Sequence, residues 1–485
     1  MKARNFICIW VILGLSLNAH AQSYKSGLKI DEQSYNNFVL KAPISMKGTL
    51  PAKISYEKYV AKVGDQGDYN TGVAFATTYY MFSVMKSIQL QSTDPESLVR
   101  GLFSPSYAYQ KTKKSTDANC QDGISIEDAL LTLRDAGAVL YEKIPYQGCD
   151  SLLPELDKSA AENKIGAAVR LFGTNELAAH KILLAKKALS EGYPILIGMQ
   201  MFSSFQKVEK DFWKPFKGEI NDKSGLGQAL CVIGYDDQKF GGAFRLVNSW
   251  GKKWADKGFC WIRYSDFGKY TQQGFQVFPL PAKPLPNVSE SQLAMKGAVE
   301  FILNDGKTMQ TRADLLTSKN TYVTSDVKND KSNQIMAYNM VDPYTSGTSF
   351  KLHIKNGLMS YLYVIGSDST LQMSRLIPSD DKISSALGPN SLLTFPSETT
   401  SITMDNTVGN DFILLLFAKN PLPFDEIIKQ MDAAKGTFVE RTLKVLDKEL
   451  IVPADINYDK MNPGFELKQN NKGQVVPLLV RIKHI

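Results

Sequence analysis

The stretch Gln66-Gly-Asp-Tyr-Asn-Thr-Gly-Val-Ala-Phe-Ala76 opens a run, Thr71 to Met85, that carries no charge and is apolar nearly all round. A segment of that length without a polar stripe reads as a helix buried on every face. Its head, Gly67-x-x-x-x-Gly72, matches half of a phosphate-binding loop. Val73 and Ala74 stand where lysine and serine or threonine would be needed to hold phosphates and Mg²⁺, so a nucleotide site is rejected.

Working outward, helix and strand signals mix from about residue 51 to 280. Ser125-Ile-Glu-Asp-Ala-Leu-Leu-Thr-Leu-Arg134 begins with a serine cap and early acids, and Gly137 closes it. Asn175 to Ser190 reads as a third helix, ending at Gly192. Strands are expected at Pro194–Met199, Ala229–Tyr235, Phe244–Asn248 and Phe259–Tyr264.

Several blocks recur in a telling order. Leu50-Pro51 and Tyr59 precede the Gln66 stretch. Gly227-Gln-Ala-Leu-Cys-Val-Ile-Gly-Tyr-Asp-Asp237 comes much later, then Phe244-Arg-Leu-Val-Asn-Ser-Trp-Gly251, Trp254 and Lys257-Gly-Phe259. With the Ile-Glu-Asp-Ala-Leu helix, this resembles papain-like cysteine peptidases (family C1). The likeness is to the bacterial branch that reads Gln-Gly-x-Tyr-Gly-Thr-Cys-Val-Gly-Trp-Ala at its nucleophile. It covers roughly residues 50–280.

In that family a cysteine heads the central helix, whose N-terminus and a histidine lower the thiol pKa. An asparagine orients the histidine, and an upstream glutamine supplies an oxyanion donor. Carried over residue by residue, the resemblance implies that Gln66 is the oxyanion glutamine and Asn248 the orienting asparagine, with Trp250 beside it. The nucleophile position is Gly72, which has no side chain, and the base position is Gln228, an amide that takes no proton at neutral pH. Gln66, Gly67, Thr71, Gly72, Gly123, Gln228, Asn248 and Trp250 are expected to line the cleft.

Substitutes are scarce. The chain has four histidines. Beyond the first 21 residues, His180 is the only one before residue 281, and it sits mid-helix in Leu177-Ala-Ala-His-Lys-Ile-Leu183. His353 lies on the polar side of a strand and His484 next to the C-terminus, and both are expected to face solvent. Thr71 and Ser125 have no evident base partner. No Asp-x-Asp calcium loop, His-Glu-x-x-His or paired Cys-x-x-Cys occurs, so neither a metal nor a cofactor is expected. The leading expectation is therefore a catalytically inactive papain-like protein. Its cleft either captures a peptide or is vestigial on a scaffold, with residual hydrolysis as a third outcome. The alternative is an active cysteine-type endopeptidase of the papain family.

Lys2 and Arg4 precede an apolar run, Phe6 to Leu17, and Ala19-His20-Ala21 fits a small-x-small cleavage pattern. Residues 1–21 read as a signal peptide cut before Gln22, because the run is shorter than the ~20 residues a bilayer needs. The mature chain is expected to be exported, to the periplasm or the cell surface, without a transmembrane segment. Export permits disulfides. Cys120 and Cys149 flank a helix-like stretch beside loop residues and are favoured as a bridge. Cys231 and Cys260 lie in strand-like runs and are either a second bridge or two buried thiols.

Residues 22–50 form an N-terminal arm with little periodicity, and Pro279-Leu-Pro-Ala-Lys-Pro-Leu-Pro-Asn287 marks a stiff linker, taken as 281–290. Beyond it, residues 291–485 are mostly β. Phe350, Leu352 and Ile354 alternate with Lys351, His353 and Lys355, as in a half-buried strand. Tyr361–Ile365, Phe412–Phe417 and Val475–Arg481 are nearly continuous apolar strands, and Phe424–Met431 and Thr437–Leu446 are helical. This part looks like a β-rich accessory domain of bacterial envelope and protease-like proteins. Its acids are scattered and supply no evident catalytic group; Tyr361 and Tyr363 either face a partner or pack in a core. The fold expected is α+β: a papain-like two-lobed domain over 51–280, then a mostly β, sandwich-like domain. Hydrophobic residues at 43% and charged residues at 22% of 485 suit such a globular chain. The net charge of +7, from 56 basic and 49 acidic residues, is thin and dispersed and gives no reason to expect nucleic acid. The expected partner is a peptide or protein in the cell envelope.

Overall fold

The computed structural model describes residues 24–41, 49–149, 155–173, 175–219, 227–280, 295–317, 334–379, 384–397, 400–468 and 471–485. The expected signal peptide at 1–21 and the expected linker at 281–290 lie outside the described residues.

The charge-free run forms the central helix. It is α-helical over Gly72–Ala74, widens to a π-helix over Phe75–Phe82 and returns to α over Ser83–Gln89. Every residue from Val73 to Phe82 is buried, as its composition requires. Within the wide stretch the Thr77 hydroxyl donates to the Val73 carbonyl at 2.8 Å, a side-chain bond that competes with the backbone ladder. The helix packs against Ile126–Asp135, where the Ser125 side chain accepts the Asp128 N–H as a cap.

Strands Ile165–Arg170, Thr271–Pro279, Ile195–Met199, Gln228–Asp236, Ala243–Val247 and Phe259–Arg263 adjoin in that order. One face of this sheet meets the central helix. The other carries helix Ala178–Ser190 and the buried Trp213, Trp250 and Trp254. Helix Ala178–Ser190 starts three residues later than the sequence suggests, because Leu177 is extended (φ −60°, ψ 139°). Cys120 and Cys149 are joined by a disulfide, with Cα atoms 5.6 Å apart. Cys231 pairs across strands with Val247, whereas Cys260 pairs with its neighbour Leu246. Adjacent strand residues point to opposite faces, so the two cysteines are separated by the sheet and remain buried free thiols.

The C-terminal part is a β-sandwich. One layer contains Lys296–Leu303, Ser349–Asn356 and Ser391–Phe395; the other contains Gln334–Met340, Val475–His484, Gly409–Ala418 and Ser360–Ser367. A core including Val299, Leu352, Ile354, Leu362, Leu415 and Val480 fills the space between them. Helices Phe424–Ala433 and Phe438–Leu446 cover the outer face of the second layer. Tyr363 lies beneath them, 4% exposed, with its hydroxyl accepting the Leu422 N–H at 2.9 Å and its ring near Phe424; it packs rather than faces a partner.

The N-terminal arm is more ordered than its lack of periodicity suggests. Leu40–Lys41 forms a short strand that pairs with Ser391–Phe395 on one side and Ile165–Arg170 on the other. One sheet therefore runs from the papain-like part into the sandwich. Lys41 is buried beside Glu191 and donates to Gln276 Oε1 at 2.5 Å. Burial lowers its pKa, and the Glu191 carboxylate opposes that shift.

Candidate functional site

The central helix begins at Gly72, so its first N–H groups have no intrahelical acceptor and face the cleft. The loop before it brings Gln66 alongside. Gln66 is fully buried; its Nε2 donates to Tyr69 O at 2.8 Å, and its Oε1 accepts the Ser249 hydroxyl at 2.6 Å. Strand Gln228–Asp236 starts at the base position, and Gln228 Nε2 donates to Asn248 Oδ1 at 2.7 Å. A Cβ placed on Gly72 would lie 2.9 Å from Gln66 Oε1 and 3.3 Å from Gln228 Nε2. Residues far apart in sequence (66, 72, 228 and 248) thus converge on one point. At that point stand amides and a bare backbone, with neither thiol nor imidazole. The amide of Gln228 makes toward Asn248 the N–H···O contact that an imidazole N–H would make in the arrangement the sequence resembles.

Gly67 (φ +59°) has open space where a Cβ would be. The Thr71 hydroxyl lies 2.9 Å from Tyr146 OH, which in turn donates to Gln66 O at 2.8 Å. Ser125 caps its helix and His180 is a surface residue 2.8 Å from Glu176, so neither is drawn into the cleft. Burial raises the pKa of the Cys231 thiol and pushes that of Cys260 up to about 12, so both stay protonated at neutral pH.

What the sequence did not reveal is the occupant. The N-terminal arm threads the cleft. Ser26 O accepts the Gln66 Nε2 donor at 2.9 Å and the Gly72 N–H at 3.1 Å, so a carbonyl of this chain sits on both of the cleft's convergent donors. Upstream, Lys25 O accepts Trp250 Nε1 at 2.6 Å and Tyr24 stacks on the Trp250 ring at 4.8 Å. Downstream, Leu28 exchanges both backbone bonds with Gly227 (3.0 and 2.9 Å), while Gly27 O and Lys29 N–H bond to Ile124 (3.0 Å each). The glycines are steric conditions for this path. A Cβ on Gly72 would lie 2.6 Å from Ser26 O, one on Gly123 2.3 Å from Gly27 O, and one on Gly27 2.1 Å from Asn70 O. The available signal was Gly27 and Gly123, both at positive φ (+116° and +72°), but sequence alone does not tell which backbone approaches them.

Beside this path a carboxyl is buried with no cation paired to it among the described residues. Glu127 is 1% exposed and accepts Gln273 Nε2 at 2.6 Å. Burial raises its pKa to about 8, with Asp128 and the arm's own Asp31 adding to the shift.

His484 corrects an expectation. It is 2% exposed, in contact with Ser346 and Asp411, and does not face solvent. The strand runs from Val475 to His484, three residues past its expected end at Arg481, and its burial alternates to the end.

The sequence profile described as "Papain family cysteine protease" matches residues 50–277. Cathepsin K of Mus musculus is 25% identical over 240 residues, covering 48% of this chain and 66% of that protein. Cathepsin K of Gallus gallus is 23% identical over 214 residues, covering 43% of this chain and 58% of that protein. The chain therefore spans less than two thirds of the length of these relatives. Among solved structures, xylellain, a cysteine protease from Xylella fastidiosa, is similar with a TM-score of 0.44 at 18% identity, covering 53% of this chain and 96% of that one. Among the described residues no helix is long and apolar enough to cross a membrane, and no histidine, cysteine and acid cluster could hold a metal ion. Residues 50–277 of this chain carry the papain-family cysteine protease fold, joined to a separate strand-rich part.

Proposed function

We propose that this chain is an exported, catalytically inactive papain-like protein that serves as a binding or assembly component of the cell envelope, its cleft filled in cis by residues 24–30. One observation carries the reading: Ser26 O rests on Gln66 Nε2 and the Gly72 N–H, where a reacting carbonyl would have to sit. Acyl transfer by this fold needs a thiolate and a base at the helix head; Gly72 and Gln228 supply neither. The backbone contacts of the arm support a cleft that still recognises extended peptide. The leader at 1–21 and the Cys120–Cys149 disulfide support export to the periplasm or cell surface.

The competing reading, a working cysteine endopeptidase, draws on the proteolytic relatives. It predicts covalent capture of an epoxide inhibitor of the E-64 type. We expect none with either the whole chain or a form lacking residues 22–30. A synthetic peptide of residues 24–30 should bind the shortened form and not the whole chain. Turnover of a fluorogenic peptide with epoxide attached to a cysteine of the wild type would overturn the proposal. Failure of the peptide to bind would show that the arm only fills space.

A further inference from the structure

Strand Phe259–Arg263 is the last of the papain-like sheet, at the edge farthest from the sandwich. Its burial alternates: Cys260 and Ile262 point into the core, whereas Phe259, Trp261 and Arg263 are partly exposed. Three segments meet over this edge. The loop 207–217 runs beside the strand, where the Trp261 N–H donates to Asp211 O at 2.7 Å and the Trp213 N–H to Trp261 O at 3.0 Å. The turn 252–257 joins that loop through the Ala255 N–H, which donates to Val208 O at 3.1 Å. The hairpin tip between Gln228–Asp236 and Ala243–Val247 contributes Phe240, whose ring stacks on Phe212 with centroids 4.1 Å apart.

Apolar rings and unpaired cations share this surface. Phe240 is 40% exposed and takes φ +51°, a left-handed backbone that a bulky side chain seldom adopts. The strain holds a ring outward, toward solvent rather than the core. Phe216, four residues past Phe212 on the loop, is 51% exposed. Lys239 Nζ lies 5.4 Å from the Phe240 ring centre and 5.9 Å from that of Trp261. The three segments carry eight lysines, four in 207–217, Lys239 and three in 252–257, against the acids Glu209, Asp211 and Asp256. All eight lysines are exposed, and among the described residues none is ion-paired. Asp256 is already taken by Arg245 Nη2 at 2.6 Å. The fold thus gathers on one edge part of a cationic excess that is dispersed along the sequence.

We propose that this edge docks on an anionic lipid bilayer, with the lysines at the level of the lipid phosphates and the Phe216 and Phe240 rings entering the acyl boundary. Lysine suits that position, because its apolar stem lies along the interface while the ammonium group stays at the charged surface. Each lysine near such a surface strengthens binding about fivefold, and aromatic rings beside the cations add apolar burial. A soluble polyanion is met by the lysines alone and gives the two exposed rings no apolar surface to enter. The pairing of cation and protruding ring therefore favours a bilayer. The inference rests on the envelope role proposed above only in naming lipid as a partner there; it requires nothing of the cleft.

The test is co-sedimentation of the chain from Gln22 onward with vesicles of phosphatidylcholine alone or of an equal mixture with phosphatidylglycerol. The chain should bind the mixed vesicles, and binding should weaken about tenfold or more when salt is raised to ~0.5 M. Lys214→Glu/Lys239→Glu/Lys253→Glu should weaken it about a hundredfold or more. Phe216→Ser/Phe240→Asn should weaken it about tenfold or more, since two rings no longer enter the bilayer. Asparagine tolerates the left-handed backbone, so the thermal midpoint should hold; if it falls, Phe216→Ser alone, which alters an exposed ring, decides the apolar contribution. Equal binding to the two vesicle types, or binding to neither, would overturn the proposal. So would binding that the lysine reversals abolish, that heparin competes away and that the phenylalanine changes leave untouched, which is the behaviour of a face for soluble polyanions. None of these results bears on the cleft, which the epoxide and peptide experiments read independently.

Discussion

Polar side chains converge at two places in this molecule, the head of the central helix and the rim of the sandwich, and the two are furnished in opposite ways. At the helix head the framework of a reaction site is present: N–H groups with no intrahelical acceptor, a buried glutamine, and an asparagine turned toward the base position. The groups that move protons and electrons are missing, and the chain's own backbone fills the space. At the rim a hydroxyl and a carboxylate lie 3.0 and 3.2 Å from the two nitrogens of an imidazole, but the imidazole is buried beneath a turn and opens onto no cleft. The difference separates two requirements that are usually met together. Recognition needs shape and directed donors, and chemistry needs groups that change protonation. A fold can keep the first after losing the second.

The largest effect should come from returning the chemistry to the cleft. In Gly72→Cys/Gln228→His, the new Cβ would lie 2.6 Å from Ser26 O, so the arm has to lift. An imidazole at 228 would then face Asn248 Oδ1, now 2.7 Å from the Gln228 amide nitrogen. We expect the double variant to hydrolyse a fluorogenic peptide at least about a hundredfold faster than wild type, since nucleophile and base act as a unit and neither alone suffices. Removing residues 22–30 should raise the rate further. Trypsin should nick the double variant at Lys25 or Lys29 sooner than wild type. A folded double variant that is cut at those lysines yet stays inert would mean that the cleft has lost alignment as well as its reactive groups.

A smaller effect, on stability, should follow pH at the floor of the same region. Glu127 has a pKa of about 8 in the fold, against an ordinary value of 4.5, because it is buried. The native state therefore holds a proton that the unfolded chain releases. Stability from this group is complete below pH ~4.5, declines as pH rises, and is lost above pH ~8. Glu127→Gln removes the titration while keeping a partner for Gln273. Its unfolding free energy from urea titration should exceed that of wild type at pH 8, by on the order of 3 kcal/mol more than at pH 5. A gain that is equal at both pH values would show that the carboxyl is already ionised in the fold. The sandwich rim, where Asp411 and His484 face each other, is unaffected by this substitution, so the contrast between the two regions can be read in one experiment.

How far each region was legible in sequence follows from what fixes it. The central helix, the Ser125 cap and the strands through Gly227–Asp237 and Phe244–Gly251 are fixed by local composition and pattern, and they fall within a few residues of their expected places. The convergence of Gln66, Gly72, Gln228 and Asn248 was legible only through resemblance, since no local rule joins residues 66 and 248. The path of the arm was not legible. Its contacts are backbone bonds from Lys25, Ser26, Gly27, Leu28 and Lys29, which carry no side-chain signature. The rim failed for a different reason. His484 lies beyond the apolar run that marks its strand, so nothing local signals its burial; pairing with Gly409 and the turn at Tyr344 bury it.

The smallest effects allow the finest comparison, because one substitution can be made in both regions. Ser249→Ala and Ser346→Ala each delete a hydroxyl that makes a short hydrogen bond, to Gln66 Oε1 at 2.6 Å and with His484 Nε2 at 3.0 Å. Ser249 is 2% exposed, and its loss would leave the Gln66 carbonyl oxygen buried without that donor. An unsatisfied buried acceptor costs about 1–3 kcal/mol, so Ser249→Ala should lower stability by that amount and loosen the hold of Gln66 on Ser26. Ser346 is exposed on its turn, so Ser346→Ala should stay within about 0.5 kcal/mol of wild type. Urea unfolding of the two variants side by side measures the difference. Equal losses would mean that the rim serine is as structural as the cleft serine. A loss confined to Ser249→Ala would leave Ser346 as a hydroxyl that the fold presents but does not need for stability.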